Sequence, residues 1–329
     1  MAKKGRLPPD RTHRAEPGIA MLGATGSGKS TFLGALQIAF LNRARYPGET
    51  EGWRLWSRDE ASRAELVKMH TALTSKGEFP MPTRGIDRFD WILEGKVERP
   101  GNGGLWHSQP YDQRVELTLK LTDPTGELTG YEQLGRQLRG ELIDHMASSR
   151  GILYMFDPIR EFNRGDAYDK TYSLIMDLMA AVPDEQRFDG RLPHYLAICV
   201  TKLDEPRVFR TAQSLNMLVR NDHDAHGFPI VHDTDARDLL LELCKVGRKG
   251  NTSMVPQLLE EYFHPDRITY FVTSSVGFML NKRTRQFDDQ DTENVYRLAS
   301  GDSLVRGPVN PINVVEPVLW LVNRLALSA

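Results

Sequence analysis

The chain has 329 residues, 40% of them apolar, and a formal net charge of −2. This length suits one large α/β domain or two small ones, and the near-neutral charge gives no overall reason to bind nucleic acid or a membrane. Two cysteines, Cys199 and Cys244, exclude a disulfide scaffold. Because we find neither a signal-peptide core nor an apolar run of ~20 residues, we expect a soluble cytoplasmic protein without a transmembrane segment.

Residues 1–17 differ in composition from the rest of the chain. Lysine and arginine outnumber acidic residues there, and apolar residues are scarce. This composition predicts a disordered basic arm, more typical of a solvated tail than of a segment that binds an anionic partner. We predict that residues 18–329 form a single domain.

Residues 23–31 read Gly-Ala-Thr-Gly-Ser-Gly-Lys-Ser-Thr, after a short apolar run and before a helical pattern. A Gly-x4-Gly-Lys-Ser loop between a strand and a helix binds polyphosphate through its backbone N–H groups and the helix N-terminus. The lysine of such a loop reaches the β- and γ-phosphates, and the serine hydroxyl binds Mg²⁺. A chance glycine-rich turn is the alternative. The predicted nucleotide-binding residues are Gly23, Thr25, Gly26, Ser27, Gly28, Lys29, Ser30 and Thr31.

The elements that follow alternate between helix and strand. Two strands, 88–98 and 114–122, predict a hairpin with one antiparallel edge strand. Solid apolar strands interleaved with helices predict an α/β fold: a mostly parallel sheet with helices on both faces. The other predicted helices cover 57–75, 131–149, 168–181, pieces near 210–220, 235–245 and 255–263, and 311–327; the other strands cover 151–156, 194–200 and 267–273, and a polar loop covers 281–310.

Ligands in such sheets bind beyond the carboxyl ends of the strands. Asp123 follows the 114–122 strand and is a candidate Mg²⁺ ligand, and the Gly126 N–H is a candidate contact of the γ-phosphate. An ordinary turn is the alternative there. Thr83 precedes the 88–98 strand, and we expect its hydroxyl to bind Mg²⁺, although it also follows Pro82 in a loop.

Thr201-Lys202-Leu203-Asp204 follows the 194–200 strand. An aspartate there can accept hydrogen bonds from guanine N1–H and N2–H₂, a pair that adenine lacks, and the Lys202 stem can lie across the base. A charged loop is the alternative. After the last strand, the small residues Ser274 and Ser275 allow a backbone amide to approach the base.

The order of these motifs along the chain resembles the translation-factor-related class of P-loop GTPases, which have the Ras-like fold. The resemblance covers residues 18–277 and the closing helix. It implies Mg²⁺ with GTP or GDP as cofactor, and insertions at about 44–82 and 205–265. The amino-acid sequence of residues 23–36 and of 311–321 also resembles that of bacterial double-GTPase proteins, which are thought to act in pairs in conflict or defence systems.

The chain departs from that family at three points. Thr25 stands where a small glycine is usual, Glu127 stands where many members have the water-positioning glutamine, and Pro124 with Thr125 stiffens the switch. Together they predict slow turnover. A partner protein is a possible source of an arginine finger, because Arg84, the arginine nearest to Thr83, looks like a solvated loop residue.

We therefore predict a Mg²⁺-dependent guanine-nucleotide switch that hydrolyses GTP slowly and signals to a partner protein. The partner is an effector, an activator or a second GTPase, in a homo- or heterodimer. The candidate catalytic residues are Lys29, Thr83 and Glu127, and the candidate metal ligands are Ser30, Thr83 and Asp123. A P-loop ATPase or kinase, and a pseudo-GTPase scaffold that binds nucleotide without turnover, remain the alternatives.

Overall fold

The computed structural model describes residues 18–24, 26–42, 52–80, 89–99, 111–121, 133–221, 224–245 and 251–328. The basic arm predicted for residues 1–17 lies outside these ranges and stays a prediction. Eleven strands are found in this part of the chain. They are β1 Ile19–Gly23, β2 Arg54–Trp56, β3 Phe89–Arg99, β4 Tyr111–Leu121, β5 Gly151–Phe156, β6 Tyr195–Val200, β7 Leu218–Arg220, β8 Pro229–Val231, β9 Ile268–Val272, β10 Val295–Arg297 and β11 Ser303–Val305.

Seven strands form one sheet in the order β2-β3-β4-β1-β5-β6-β9. Strands β4, β1, β5, β6 and β9 are parallel, and β3 runs antiparallel to both of its neighbours. The predicted mostly parallel sheet with one antiparallel strand is therefore confirmed. Its predicted place at the edge is wrong, because β2 pairs outside β3. A strand of three residues is too short to show an alternating pattern in the sequence.

Nine α-helices accompany the strands in the described ranges. Each of the predicted helices is found, with shifted ends. They are α1 Lys29–Leu41, α2 Glu60–Thr71, α3 Gln133–Ser148, α4 Pro158–Arg164, α5 Ala167–Ala181, α6 Pro206–Ser214, α7 Asp233–Lys245, α8 Met254–Tyr262 and α9 Glu316–Ser328.

Alternate residues of the strands supply two apolar cores, one on each face of the sheet. Ile19 and Met21 of β1 pack with helices α1, α2 and α9. Ala20 and Leu22 point the other way and pack with α3 and α5 to α8. Helices thus cover both faces, as predicted from strands that are apolar throughout. Among the described helices, none is both long and apolar enough to cross a bilayer.

Part of the first predicted insertion packs into the body of the sheet. Trp53 is buried, and a Cβ atom on Gly95 of β3 would lie 2.2 Å from its ring. Glycine at position 95 therefore makes room for the indole. The Trp91 indole N–H donates to the Ser62 carbonyl oxygen of α2 at 3.0 Å, which ties the helix to the sheet.

The second predicted insertion contains a hairpin that the sequence pattern did not reveal. The helix predicted near 210–220 ends at Ser214, and Asn216 takes a left-handed backbone with φ 56°. Strand β7 then pairs with β8. The loop predicted for 281–310 likewise holds the hairpin of β10 and β11. These four strands have three residues each, too few for a periodic signal.

Candidate nucleotide-binding site

The carboxyl ends of four neighbouring parallel strands lie side by side. Gly23 of β1 is level with Met155 of β5, which is level with Cys199 of β6, which is level with Phe271 of β9. Three strand spacings separate the first from the last, about 14 Å in all. The sheet therefore brings the glycine-rich loop, the residues after β5, the Thr201–Asp204 motif and Ser274 to one edge.

The glycines of the loop serve two different purposes. Gly26 and Gly28 have left-handed backbones, with φ 79° and 93°, and an added Cβ atom would meet nothing within 4 Å. They are needed for conformation. At Gly23, a Cβ atom would lie 2.8 Å from the Met155 carbonyl oxygen and 2.6 Å from Ser27 Oγ. That glycine is needed because β5 and the loop approach it closely.

Lys29 is buried at the start of α1, with an exposed fraction of 3%. Its Nζ donates to the carbonyl oxygens of Gly23 at 2.8 Å and Ala24 at 3.2 Å, so the ammonium lies inside the curve of the loop. Ser27 Oγ is also buried and has no hydrogen-bond partner within the described residues. Buried polar atoms are nearly always paired. A lone buried hydroxyl and an enclosed ammonium fit a loop that receives an anionic ligand.

The Thr201–Asp204 motif is attached to the strand ends on both sides. The Thr201 N–H and hydroxyl both donate to the Phe156 carbonyl oxygen of β5, at 2.9 and 3.0 Å. The Leu203 N–H donates to the Thr273 carbonyl oxygen, just after β9, at 3.1 Å. Between them Lys202 takes a left-handed backbone with φ 66°. A non-glycine residue adopts that conformation only where its surroundings hold it, so the motif is more than a loose charged loop.

Asp204 is buried beside Ser274, which has no exposed surface. The Ser274 hydroxyl donates to Asp204 Oδ1 at 2.5 Å, and the Gly277 N–H donates to Ser274 Oγ at 2.8 Å. Burial raises the pKa of the Asp204 carboxyl to about 6. A buried carboxylate is costly to keep charged, and hydrogen-bond donors on a ligand would stabilise it.

Sequence reasoning missed Asp157, which follows β5 at the same edge. Its Oδ1 accepts hydrogen bonds from the backbone N–H groups of Ile159 and Arg160 at 3.0 Å each, and these bonds cap helix α4. Its Oδ2 accepts a hydrogen bond from the Lys202 ammonium at 2.7 Å. The rule that identified the other strand ends applies here as well, because an acidic residue directly follows a buried strand.

The structure describes only part of the predicted site. Ser30 and Thr31 lie in the first turn of α1, and Ser275 is partly exposed after Ser274. Their predicted roles remain predictions. The same holds for predicted residues outside the described ranges: Thr25, Thr83, Arg84, Asp123, Gly126 and Glu127. Within those ranges, the structure shows no group of three histidine, cysteine or acidic residues that could hold a metal ion.

No protein-family model matches the sequence, and no curated protein matches it. Its fold is similar to several solved structures. One is the signal recognition particle receptor SRβ-GTP/SRX complex of Chaetomium thermophilum, with 13% identity, a TM-score of 0.35, and coverage of 80% of this chain and 93% of the other.

This chain spans about half the length of two further structures that it matches. Era of Aquifex aeolicus bound to GDP·AlF₄⁻ has 12% identity, a TM-score of 0.33, and coverage of 79% and 52%. The S. cerevisiae Ski7 GTPase-like domain bound to GTP has 13% identity, a TM-score of 0.37, and coverage of 95% and 51%.

Proposed function

We propose that the chain is a Mg²⁺-dependent guanine-nucleotide-binding protein that hydrolyses GTP slowly and signals to a partner protein. The observation that carries the proposal is the placement of the buried Asp204–Ser274 pair at the same sheet edge as the glycine-rich loop. If one nucleotide binds along this edge, with its phosphates on the glycine-rich loop and its base beside Asp204, both motifs have a function.

Guanine is the base that this carboxylate suits. Its N1–H and N2–H₂ are adjacent donors, and an ionised carboxylate has two acceptor oxygens. Ser274 fixes the orientation of the Asp204 carboxylate by donating to Oδ1. Adenine presents no such pair of donors, so binding it would leave the buried carboxylate unpaired, at a cost that discriminates strongly between bases.

The phosphates would lie on the loop of residues 23–31, with the N–H groups around Gly26 and Gly28 and the Lys29 ammonium as donors. The buried Ser27 hydroxyl and the open space around both glycines fit such a ligand. Ser30 supplies a hydroxyl to Mg²⁺, with Thr83 and Asp123 as the further proposed ligands. Mg²⁺, when bound, neutralises the charge on the phosphate oxygens.

We assign switching to the loops around Thr83 and 123–127, with the Gly126 N–H near the γ-phosphate. Glu127 is the proposed water-positioning residue, and its negative charge next to the γ-phosphate accounts for slow turnover. A partner would supply the missing rate enhancement, as arginine fingers do in trans. The partner is an effector, an activator or a second GTPase, as the resemblance to double-GTPase proteins of conflict systems implies. We propose that residues 18–329 act as one domain.

The test is competition binding of GDP, GTP, ADP and ATP with Mg²⁺, on the wild type and on Asp204→Asn. We expect guanine nucleotides to win by orders of magnitude, and Asp204→Asn to shift preference towards xanthine nucleotides. Equal binding of ADP and GDP would contradict the proposal and favour a P-loop ATPase or kinase.

Turnover is measured next, as phosphate release from GTP with and without Mg²⁺. Slow release that requires Mg²⁺ is the expected result. Tight GTP binding with no release would instead identify a pseudo-GTPase scaffold, the outcome that Thr25 and Glu127 motivate.

A further inference from the structure

A second buried carboxylate faces the candidate base site from the neighbouring strand. Asp157 follows β5, and its side chain is 2% exposed, whereas that of its ion-pair partner Lys202 is 33% exposed. Strand β5 lies between β1, which leads into the phosphate loop, and β6, which leads into the base motif. The ion pair therefore joins the base motif to the end of the strand that lies between the two halves of the site.

The position of the Asp157 carboxylate is fixed by its own helix. Oδ1 is occupied by the first two free N–H groups of α4, at 3.0 Å each, which leaves Oδ2 directed at Lys202. Helix α4 is also tied to α6, which begins two residues after Asp204, because Arg207 of α6 stacks 3.6 Å over the Phe162 ring. The carboxylate is thus a rigid acceptor, whereas a lysine side chain in solution samples many rotamers.

The backbone and the ammonium together determine where the Lys202 stem lies. The Lys202 backbone is left-handed, two residues before Asp204, and its Nζ atom is held by Asp157 at the end of β5. Between these two points the methylene chain spans the gap between adjacent strand ends, about 4.8 Å. A stem stretched in this way presents a continuous apolar surface beside the carboxylate that reads the base.

We propose that Asp157 is a positioning residue for nucleotide binding: it holds the Lys202 stem as a preformed platform for the purine face. This inference rests on the proposed function. It divides recognition between two carboxylates, because Asp204 reads the edge of the base and selects guanine, whereas Asp157 acts through Lys202 on the face that all purines share. The two carboxylates therefore have different experimental signatures.

The first test is the affinity of Asp157→Asn for GDP, XDP and ADP. Asparagine caps helices as well as aspartate does, so α4 is retained while the ammonium loses its acceptor. We expect affinity for GDP to fall about tenfold, through loss of preorganisation, with the ratio of GDP to XDP affinity unchanged. Asp166→Asn is the matched control: it weakens the ion pairs of Asp166 with Arg160 of α4 and with Lys170, not that of Lys202, and is expected to leave affinity unchanged.

The second test is a double-mutant cycle with Lys202→Met, which keeps an apolar stem but has no ammonium to hold. In that background Asp157→Asn is expected to have no further effect on GDP affinity. An effect of Asp157 that does not act through Lys202 predicts the same loss in both backgrounds, whereas a role confined to capping α4 predicts no loss in either, because asparagine retains the cap. If Asp157→Asn does not fold, Asp157→Ser, which also caps, takes its place.

The outcomes separate this inference from the proposed function. Wild-type protein that binds ADP as well as GDP overturns both. Guanine-selective wild-type protein with undiminished affinity in Asp157→Asn overturns the positioning role alone. So does a change in the GDP to XDP ratio in that variant, because it would mean that Asp157 reads the base edge.

Discussion

The two ends of strand β6 each carry a buried titratable side chain. His194 precedes the strand and is fully buried, and Asp204 follows it and is 6% exposed. Burial lowers the pKa of His194 to about 4 and raises the pKa of Asp204 to about 6, so both shifts favour the neutral form. Burial and a shifted pKa therefore do not by themselves distinguish a binding residue from a structural one.

Their surroundings do distinguish them. His194 Nε2 donates to the Met146 carbonyl oxygen at 3.0 Å, and the ring packs against Phe263. That contact joins α3 to the amino end of the strand and stabilises the fold. Asp204 lies at the opposite end, where the loops after four parallel strands converge. Position relative to the strand ends decides which of two similar groups is available to a ligand.

The largest effect at the carboxyl edge is expected for Lys29→Ala. Removing the ammonium is expected to lower GTP and GDP affinity on the order of 100-fold, since hydrogen bonds to charged groups contribute about 1.5–3 kcal/mol each. Fluorescent-nucleotide titration measures the loss. The control is Lys68→Ala on the surface of α2, where the exposed lysine forms an ion pair with Glu65 of the same helix. Retained affinity in Lys29→Ala would contradict the phosphate assignment.

The next effect is the pH dependence of guanine binding. Protonated Asp204 loses an acceptor, so the dissociation constant for GDP is expected to rise as pH falls through about 6, the pKa of the free carboxyl. Below that pH the rise approaches tenfold per pH unit. Titrations at pH 5 to 8 measure it. Asp204→Asn is the control, because protonation of the phosphates weakens its GDP binding as much as that of the wild type. If the dissociation constants of the two proteins change with pH in parallel, Asp204 is not the acceptor.

A smaller effect is expected for Ser274→Ala. The hydroxyl orients Asp204 without contacting the base edge itself, so its loss is expected to weaken GDP binding about fivefold, equivalent to ~1 kcal/mol for one net hydrogen bond. In the Asp204→Asn background the same change is expected to have little further effect on base preference. A binding assay compares both single variants with the double variant. If their losses of binding free energy add, Ser274 acts independently of Asp204.

At the amino end of β6, His194→Gln is expected to leave nucleotide affinity unchanged and to alter only acid stability. The folded protein holds His194 neutral down to about pH 4, whereas the unfolded chain binds a proton below its ordinary pKa of 6.5. The wild type therefore loses about 2 kcal/mol from this group between pH 7 and pH 5. Asp204 acts in the opposite direction, gaining stability as pH falls below 6, because the folded state then holds the extra proton.

Urea unfolding at both pH values measures this difference. His194→Gln is expected to lose less stability than the wild type on acidification, and Asp204→Asn is expected to lose more. Weakened GDP binding in His194→Gln would break the contrast between the two ends of the strand.

The sequence predicted the sheet because its central strands are apolar on both faces, as in β5 and β6. It also predicted that Asp204 and Ser274 lie at the same sheet edge, because the strand-end rule needs only the position of a polar residue after a strand. Asp157 follows the same rule, yet its proposed role depends on an ion pair with Lys202, 45 positions away. Asp-Pro in a sequence looks like an ordinary turn, and only the fold shows what the carboxylate reaches.

Short strands were missed for a different reason. Strands β2, β7, β8, β10 and β11 have three residues each, and their pairing depends on neighbours that are distant in sequence. Strand β2 is held by β3 and by the burial of Trp53 against Gly95. Such tertiary contacts override local pattern, so the place of the antiparallel strand could not be read from the pattern of the hairpin alone.

The two kinds of glycine in the phosphate loop have a consequence for genetics. A side chain at Gly23 would collide with the Met155 carbonyl oxygen and Ser27 Oγ, so alleles at this position would reduce the amount of folded protein in the cell. Side chains at Gly26 and Gly28 meet open space but would strain the left-handed backbone, so alleles there are expected to leave the core folded and to distort the loop that we propose holds the phosphates. Because folded protein without nucleotide could still occupy the proposed partner, only the second class is expected to be dominant over the wild-type allele.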